Sequence, residues 1–241
     1  MQGYVVDEEV VAATSELVDT ASTRLTINAA CGCEQLEQRV IRFGPGRSRP
    51  RGSANRQEVL YVASGRGRLH LADTAHELEP DTGAFVAAGE TYEVESTGDG
   101  ELVLISVTAP QEGPAASTDG RRTVRWAERP SLPASPNREF RYLVDAEVGC
   151  YDVTQFVGVI PPGRAPLHSH SYDEVIYVVE GAGLLHLGAG STPIARGSCI
   201  HLPPLVEHCL ENTGEEPMRV LGVFHPAGDP ASRAPRLVNI A

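Results

Sequence analysis

EVLYVASGRGRL at residues 58–69 and EVIYVVEGAGLL at residues 174–185 are two copies of one pattern. Each opens on an acid, continues as a β-prone run, and ends at Gly-x-Gly before another apolar run. The two are offset by 116 residues at Glu58/Glu174 and again at Gly65/Gly181. Working outward, Pro45-Gly46-Arg47 returns as Pro162-Gly163-Arg164 at an offset of 117, and Gly83 returns as Gly197 at 114. Drifts of one to three residues are what insertions in surface loops produce. The chain therefore carries two copies of one domain.

Within each copy the apolar residues fall in short runs punctuated by Gly, Pro and Asp. IRFGPG, EVLYVASG, GRLHLA, GAFVAAG and ELVLISVTA in the first copy answer to QFVGVIPPG, EVIYVVEG, AGLLHLG, GSCIHLPP and MRVLGVFHP in the second. No 3.6-residue apolar period is sustained after residue 30. Gly (24) and Pro (18) make up about 17% of the 241 residues, against a usual ~12%. These features predict an all-β chain of two antiparallel sandwiches or small barrels. The expected division is an N-terminal extension (1–34), a first domain (35–110), a linker with a packing strand (111–149), a second domain (150–226) and a tail (227–241). Residues 8–19 read as a weak helix or an added edge strand, and Trp126 as a pin holding the linker to a domain surface.

The formal charge of −12 repels phosphate backbones, which argues against a nucleic-acid partner. No run approaches 18 apolar residues, so no membrane-spanning helix is expected. The N-terminal MQGYVVDEEVV lacks the basic and apolar regions of a signal peptide. Five cysteines, an odd and sparse set, fit free thiols in a reducing cytoplasm, and Cys31-Gly-Cys33 reads as two small residues in a turn. The expected location is cytoplasmic.

The second copy concentrates histidine. PPGRAPLHSHSYDE places His168, His170 and Glu174 within seven residues, and His208 follows in PPLVEHCLEN. On a strand, residues i and i+2 share a face, so His168 and His170 project together. Glu174 rejoins them if Ser171–Asp173 bend, and His208 must arrive on another strand. Three imidazoles and a carboxylate suit Fe(II), Mn(II), Co(II), Ni(II) or Zn(II).

At these residues the chain resembles the cupin superfamily. Gly163, His168-Ser-His170, Glu174 and Gly181 match the first part of its pattern; Gly197, Pro203, His208 and Asn212 match the second. Leu205 stands where the family prefers Gly, a departure that touches a turn rather than the ligands. The resemblance implies two tandem jelly-roll β-barrels, one divalent metal per chain on His168, His170, Glu174 and His208, and a homodimer. The first copy departs from the pattern. It keeps Glu58 but has Gly52 and Ala54 near the ligand positions and Val94 in place of His208, so it is expected to hold no metal.

Glu174, Ile176 and Val178 share one strand face, and Phe156, Gly158 and Ile160 another, which predicts an apolar cavity wall. If the face shared by Cys199, His201 and Pro203 is internal, His201 lies near the metal as a base or hydrogen-bond donor. Tyr172, in the bend, is the second catalytic candidate, offering an O–H at the pocket mouth. Tyr177 points away from Glu174 toward packing or an interface. His70 and His186 are equivalent between the copies and read as structural. The function expected is a metal-dependent enzyme on a small organic molecule, with a non-heme Fe(II) oxygenase leading. A Mn, Ni or Zn isomerase, decarboxylase or aminohydrolase is the alternative, and a non-catalytic binding bicupin the third reading.

Overall fold

The structure, a computed structural model, describes residues 3–113, 121–135 and 137–232. Part of the expected linker and the tail beyond residue 232 lie outside that set. The described chain is built from short strands and four single-turn 3-10 helices. Each domain pairs a seven-stranded sheet with a smaller one, in a jelly-roll-like sandwich rather than a closed barrel. In the first domain Arg56–Ser64, Thr82–Val86, Leu102–Pro110 and Glu37–Phe43 form the middle of the large sheet, and Gly67–Leu71, Thr74–Leu78 and Tyr92–Ser96 form the small one. In the second domain Asp173–Glu180, Ser198–Leu202, Met218–His225 and Thr154–Ile160 play the same parts, opposite Ala182–Leu187, Gly190–Ala195, His208–Asn212 and Gly163–Arg164.

Three apolar clusters show how the layers stack. Leu60, Val62, Leu102 and Leu104 fill the first sandwich, and Ile176, Val178, Ile200 and Val220 fill the second. A third cluster holds Val59, Tyr61, Phe85 and Val107 of one domain with Val175, Tyr177, Cys199 and Val223 of the other. The two large sheets therefore stand back to back, and each central strand is buried on both faces. That is why Ser198–Leu202 and Thr82–Val86 are buried at every position and show no polar alternation.

The expected boundaries at 34 and 149 need correction. The segments read as extension and linker are the opening strands of each repeat. Ala21–Ile27 pairs with Glu37–Phe43 just as Arg138–Val144 pairs with Thr154–Ile160. Asn28 and Asp145 each cap a 3-10 turn with a side-chain oxygen, and Gly32 and Gly149 each end it in a left-handed conformation. The leading strand of each repeat crosses to the other domain. Tyr4–Asp7 pairs with Ser198–Leu202 of the second domain, and Thr123–Arg125 pairs with Thr82–Val86 of the first. Residues 8–19 form a 3-10 turn at Glu8–Val10 and a short edge strand at Thr14–Ser15.

Ionic contacts close the seam. Tyr177 Oη donates to Glu8 at 3.0 Å, and Arg42 Nη1 reaches the same carboxylate at 3.0 Å. Reciprocally, Tyr61 bonds Asp81, which Arg219 Nη2 reaches at 2.6 Å. Trp126 does anchor its segment: its backbone N–H donates to Asp81 O, and its ring lies under the guanidinium groups of Arg141 and Arg219, 4.0 and 4.9 Å from the ring centroid. No described helix is long and apolar enough to cross a membrane.

Candidate metal centre

A bend at Ser171–Tyr172 and the strand Asp173–Glu180 bring the carboxylate of Glu174 to the imidazole of His170, with Nε2···Oε2 at 2.8 Å. His208 begins the strand His208–Asn212 of the facing sheet and pairs with His168 through reciprocal backbone hydrogen bonds of 3.0 and 2.9 Å. Donor atoms of His170, Glu174 and His208 all lie within 4.8 Å of one another. His168 stands beside this group, its ring centroid 4.5 Å from that of His208. Leu205 occupies the tight turn before His208 with a left-handed backbone (φ 63°). Glycine is the unstrained residue there, and the ligands are undisturbed.

The rings are held in an orientation suited to a cation. Nδ1 of His168 lies 3.3 Å from Pro166 O, Nδ1 of His170 3.0 Å from Tyr172 O, and Nδ1 of His208 2.9 Å from Val206 O. A carbonyl can only accept, so each contact places the proton on Nδ1 and leaves Nε2 for the centre. Burial drives the His208 pKa down to about 4, keeping that ring neutral at pH 7 as metal ligation requires. Burial works against charge on His170 too, but Glu174 outweighs it and the net shift is upward. The carboxylate of Glu174 thus makes this a place where positive charge is favoured. A buried set of imidazoles and one carboxylate fits a divalent transition metal.

These side chains line a cavity of about 110 Å³. Phe140, Phe156, Phe224, Ile176 and Val220 make its walls apolar, and Arg138 and Glu139 also line it. The Phe156 ring is placed by Gly222: a Cβ there would fall 2.3 Å from Phe156 Cζ. Of the predicted face Glu174, Ile176 and Val178, the first two line the cavity and Val178 packs in the sandwich core; Phe156, Gly158 and Ile160 all line it. Sequence reading missed Arg138, Glu139 and Phe140, because their strand was taken as linker. The signal for it was the turn just downstream, Asn28-Ala29…Gly32-Cys33 repeated as Asp145-Ala146…Gly149-Cys150 at an offset of 117.

Neither catalytic candidate reaches the centre as expected. Glu174 is opposite Leu202, so His201 falls on the other face of the sheet with Val175 and Cys199. Its Nε2 lies 2.8 Å from Asp173 Oδ1. Tyr172 does line the cavity, its ring stacked on His170 at 4.4 Å between centroids. Its hydroxyl, however, donates to Asp229 O at 2.9 Å, and burial raises its pKa. Tyr172 therefore packs and orients His170. The remaining histidines of the pattern match structural roles: His70 bonds Glu95 at 2.9 Å and His186 bonds Glu211 at 2.6 Å.

The first domain shows what replaces the ligands. Tyr92 is opposite Leu71 as His208 is opposite Leu187, and the Arg51/Tyr92 bridge matches the His168/His208 bridge. The counterparts of His168, His170, Glu174 and His208 are thus Arg51, Ser53, Glu58 and Tyr92. Gly52, Ala54 and Val94 are each displaced from the matching position. Arg51 Nη2 pairs with Asp19 at 2.5 Å, and its guanidinium lies 5.3 Å from the Phe43 ring centroid. Glu58 accepts a hydrogen bond from Ser106, and Tyr92 is fully buried beside it. A cation and a phenol occupy the place of imidazole donors. We predict that Glu58→Gln leaves metal content unchanged by elemental analysis; a loss of one equivalent would show that this domain holds metal.

A family model described as Cupin domain matches residues 39–108 and 156–224. Among curated proteins, an uncharacterised protein of Streptomyces coelicolor is 40% identical over 57 residues, which cover 24% of this chain and 53% of that one. Auxin-binding protein 1 of Arabidopsis thaliana is 34% identical over 86 residues, covering 32% of this chain and 43% of that one. The chain spans about half the length of the curated relatives it matches. Among solved structures, oxalate decarboxylase from Bacillus subtilis superposes with a TM-score of 0.77 at 14% identity, over 93% of this chain and 77% of that one. A protein of Pseudomonas aeruginosa described as glyoxylate-induced gives a TM-score of 0.79 at 18% identity, over 99% of this chain and 92% of that one. At these identities the likeness is one of fold.

Proposed function

The chain belongs to the cupin family, whose domain it carries twice, and from that premise we propose that it is a divalent-metal-dependent enzyme acting on a small organic molecule in the cavity of its second domain. One observation carries the reading: the Nε2 atoms of His170 and His208, two imidazoles tied through Nδ1 to backbone carbonyls, face Glu174 in a mostly apolar cavity, with His168 lining it beside them. His170, Glu174 and His208 would hold the metal, with His168 completing the set. When bound, Fe(II) supplies open positions for a chelating oxygen donor and O₂, whereas Mn(II) supplies a Lewis acid.

The chain's own part is positioning and exclusion of water. Phe140, Phe156 and Phe224 line the walls and lower the local dielectric, which strengthens each polar contact inside. Arg138 offers the cavity a fixed positive charge, suited to a carboxylate or enolate oxygen on the substrate. Its Nη2 is braced by Leu210 O at 2.9 Å. With His201 on the far face and the Tyr172 hydroxyl committed, Glu139 is the acidic lining residue outside the ligand set. Glu139 is exposed, so among the described residues chemistry that demands a buried proton shuttle is poorly supplied. This favours an oxygenase, with decarboxylation of a carboxylate beside Arg138 as the second reading.

Metal analysis of protein purified anaerobically, followed by paired assays, tests the proposal. The expected result is iron at the cavity, with O₂ uptake on small enolisable or phenolic carboxylates. Manganese with CO₂ release and no O₂ uptake would replace the oxygenase by the lyase. A cavity centre that takes up no transition metal would overturn both.

A further inference from the structure

The seam between the back-to-back sheets contains a second set of metal-type donors. Cys33, from the loop after the Ala29–Cys31 turn of the first domain, meets Asp173 and His201 of the second, with donor atoms of all three within 4.8 Å of one another. Cys33 is fully buried and His201 is 1% exposed. Asp173 and Glu174 are adjacent on one strand and so face opposite ways: Glu174 enters the cavity, Asp173 the seam. Asp173 is flanked on its other side by its cross-strand partner His225, which is 8% exposed.

Two observations point to a ligand at this place. Nδ1 of His201 and Nδ1 of His225 are both buried without a hydrogen-bond partner, although buried imidazole nitrogens are normally satisfied. The equivalent place at the other end of the seam is built differently. There Cys150 corresponds to Cys33, Gln57 to Asp173, Phe85 to His201 and Ala109 to His225, by the matching strand registers. That end is closed by a Cys150 Sγ to Gln57 Oε1 hydrogen bond of 3.3 Å and by apolar packing. Packing of the two sheets therefore does not itself require an acid and two imidazoles.

We propose that Cys33, Asp173 and His201 form a structural zinc-type site that joins the two domains, with His225, the cross-strand neighbour of Asp173, beside it. Thiolate, imidazole and carboxylate are the ligands of Zn(II), and in a tetrahedral site their donor atoms stand roughly 3.4–3.6 Å apart. The donor atoms of the cluster, all within 4.8 Å of one another, would have to draw together by small side-chain movements to reach that spacing. A buried cation would engage the carboxylate and the imidazole lone pairs and draw the thiol proton off to solvent. Burial holds the Cys33 thiol up at about 12 in the absence of such a cation, which does not suit a free nucleophile.

The test uses the full chain carrying His208→Ala, which empties the cavity centre, with Zn(II) and Co(II) as probes. The expected result is one equivalent bound per chain, a rise in the thermal midpoint with Zn(II), and a thiolate-to-Co(II) charge-transfer band. Adding Cys33→Ser removes the band and lowers affinity by at least ~10-fold. If the serine variant does not fold, His201→Gln gives the same reading, with the band shifted and affinity reduced. Absence of binding in the His208→Ala chain, a Co(II) complex without the thiolate band, or a band that survives Cys33→Ser each overturns the site. In the otherwise unaltered chain, Cys33→Ser leaves the cavity metal and its activity in place, which separates failure here from failure of the proposed function.

Discussion

His208→Ala is expected to strip the cavity of its metal, lowering metal content by one equivalent per chain and abolishing activity while the domains stay folded. Three features set this size of effect. Nε2 of His208 approaches Glu174 to 4.0 Å from the facing sheet, so its loss opens the site on one whole side. Its ring is 2% exposed, and it is one of the three mutually close donors of the group, with His170 and Glu174. Removing one ligand of four is expected to weaken binding by at least ~100-fold, since even outer hydrogen-bond partners are worth 10–100-fold. The stability cost is expected to be about 1 kcal/mol, because the backbone bridge to His168 remains. His168→Ala is expected to act in the same direction and less strongly, its ring standing beside the tight group. Elemental analysis and thermal unfolding of the same preparations check both; full metal content in His208→Ala would sink the ligand assignment.

Deleting residues 1–13 is expected to destabilise the second domain by about 2–4 kcal/mol, although no residue of that domain's own repeat is touched. Tyr4–Asp7 pairs along the strand Ser198–Leu202, and its removal exposes the amides of a strand that is otherwise buried on both faces. Glu8 leaves with it, taking a partner from the buried Tyr177 hydroxyl and from Arg42. Hydrogen exchange should quicken first at residues 198–202, before the first domain responds. Unchanged unfolding and exchange would mean that the exchanged strand contributes nothing to the second domain. Glu8→Gln serves as the lighter control, since it keeps the strand and removes only the charge.

Much of this architecture was legible in the order of residues. Duplication followed from Glu58/Glu174 and Gly65/Gly181, and strand from short β-prone runs punctuated by Gly, Pro and Asp. The donor cluster followed from His-x-His, Glu and a later His, because imidazoles two residues apart on a strand must share a face. The error over His201 had one physical source. In a half-exposed strand, alternating polarity reports which face is inside. In Ser198–Leu202 every residue is buried, so alternation is silent and the face depends on the pairing of Leu202 with Glu174. A slip of one residue reverses it. A different ambiguity, the drift of the repeat offset between 114 and 117 residues, put Val94 where Tyr92 stands, and Gly52 and Ala54 where Arg51 and Ser53 stand.

What the sequence determined alone is therefore local: strands, turns, the repeat, and the residue types able to hold a metal. The tertiary structure decided which domain each leading strand completes, which face of a doubly buried sheet looks into the cavity, and that Asp173 and Glu174, neighbours in the chain, serve different places. These are matters of register and of packing between residues far apart in sequence, such as Cys33 and His201. Nothing in the local run encodes them, because the free energy that settles them is released only when both sheets are buried together.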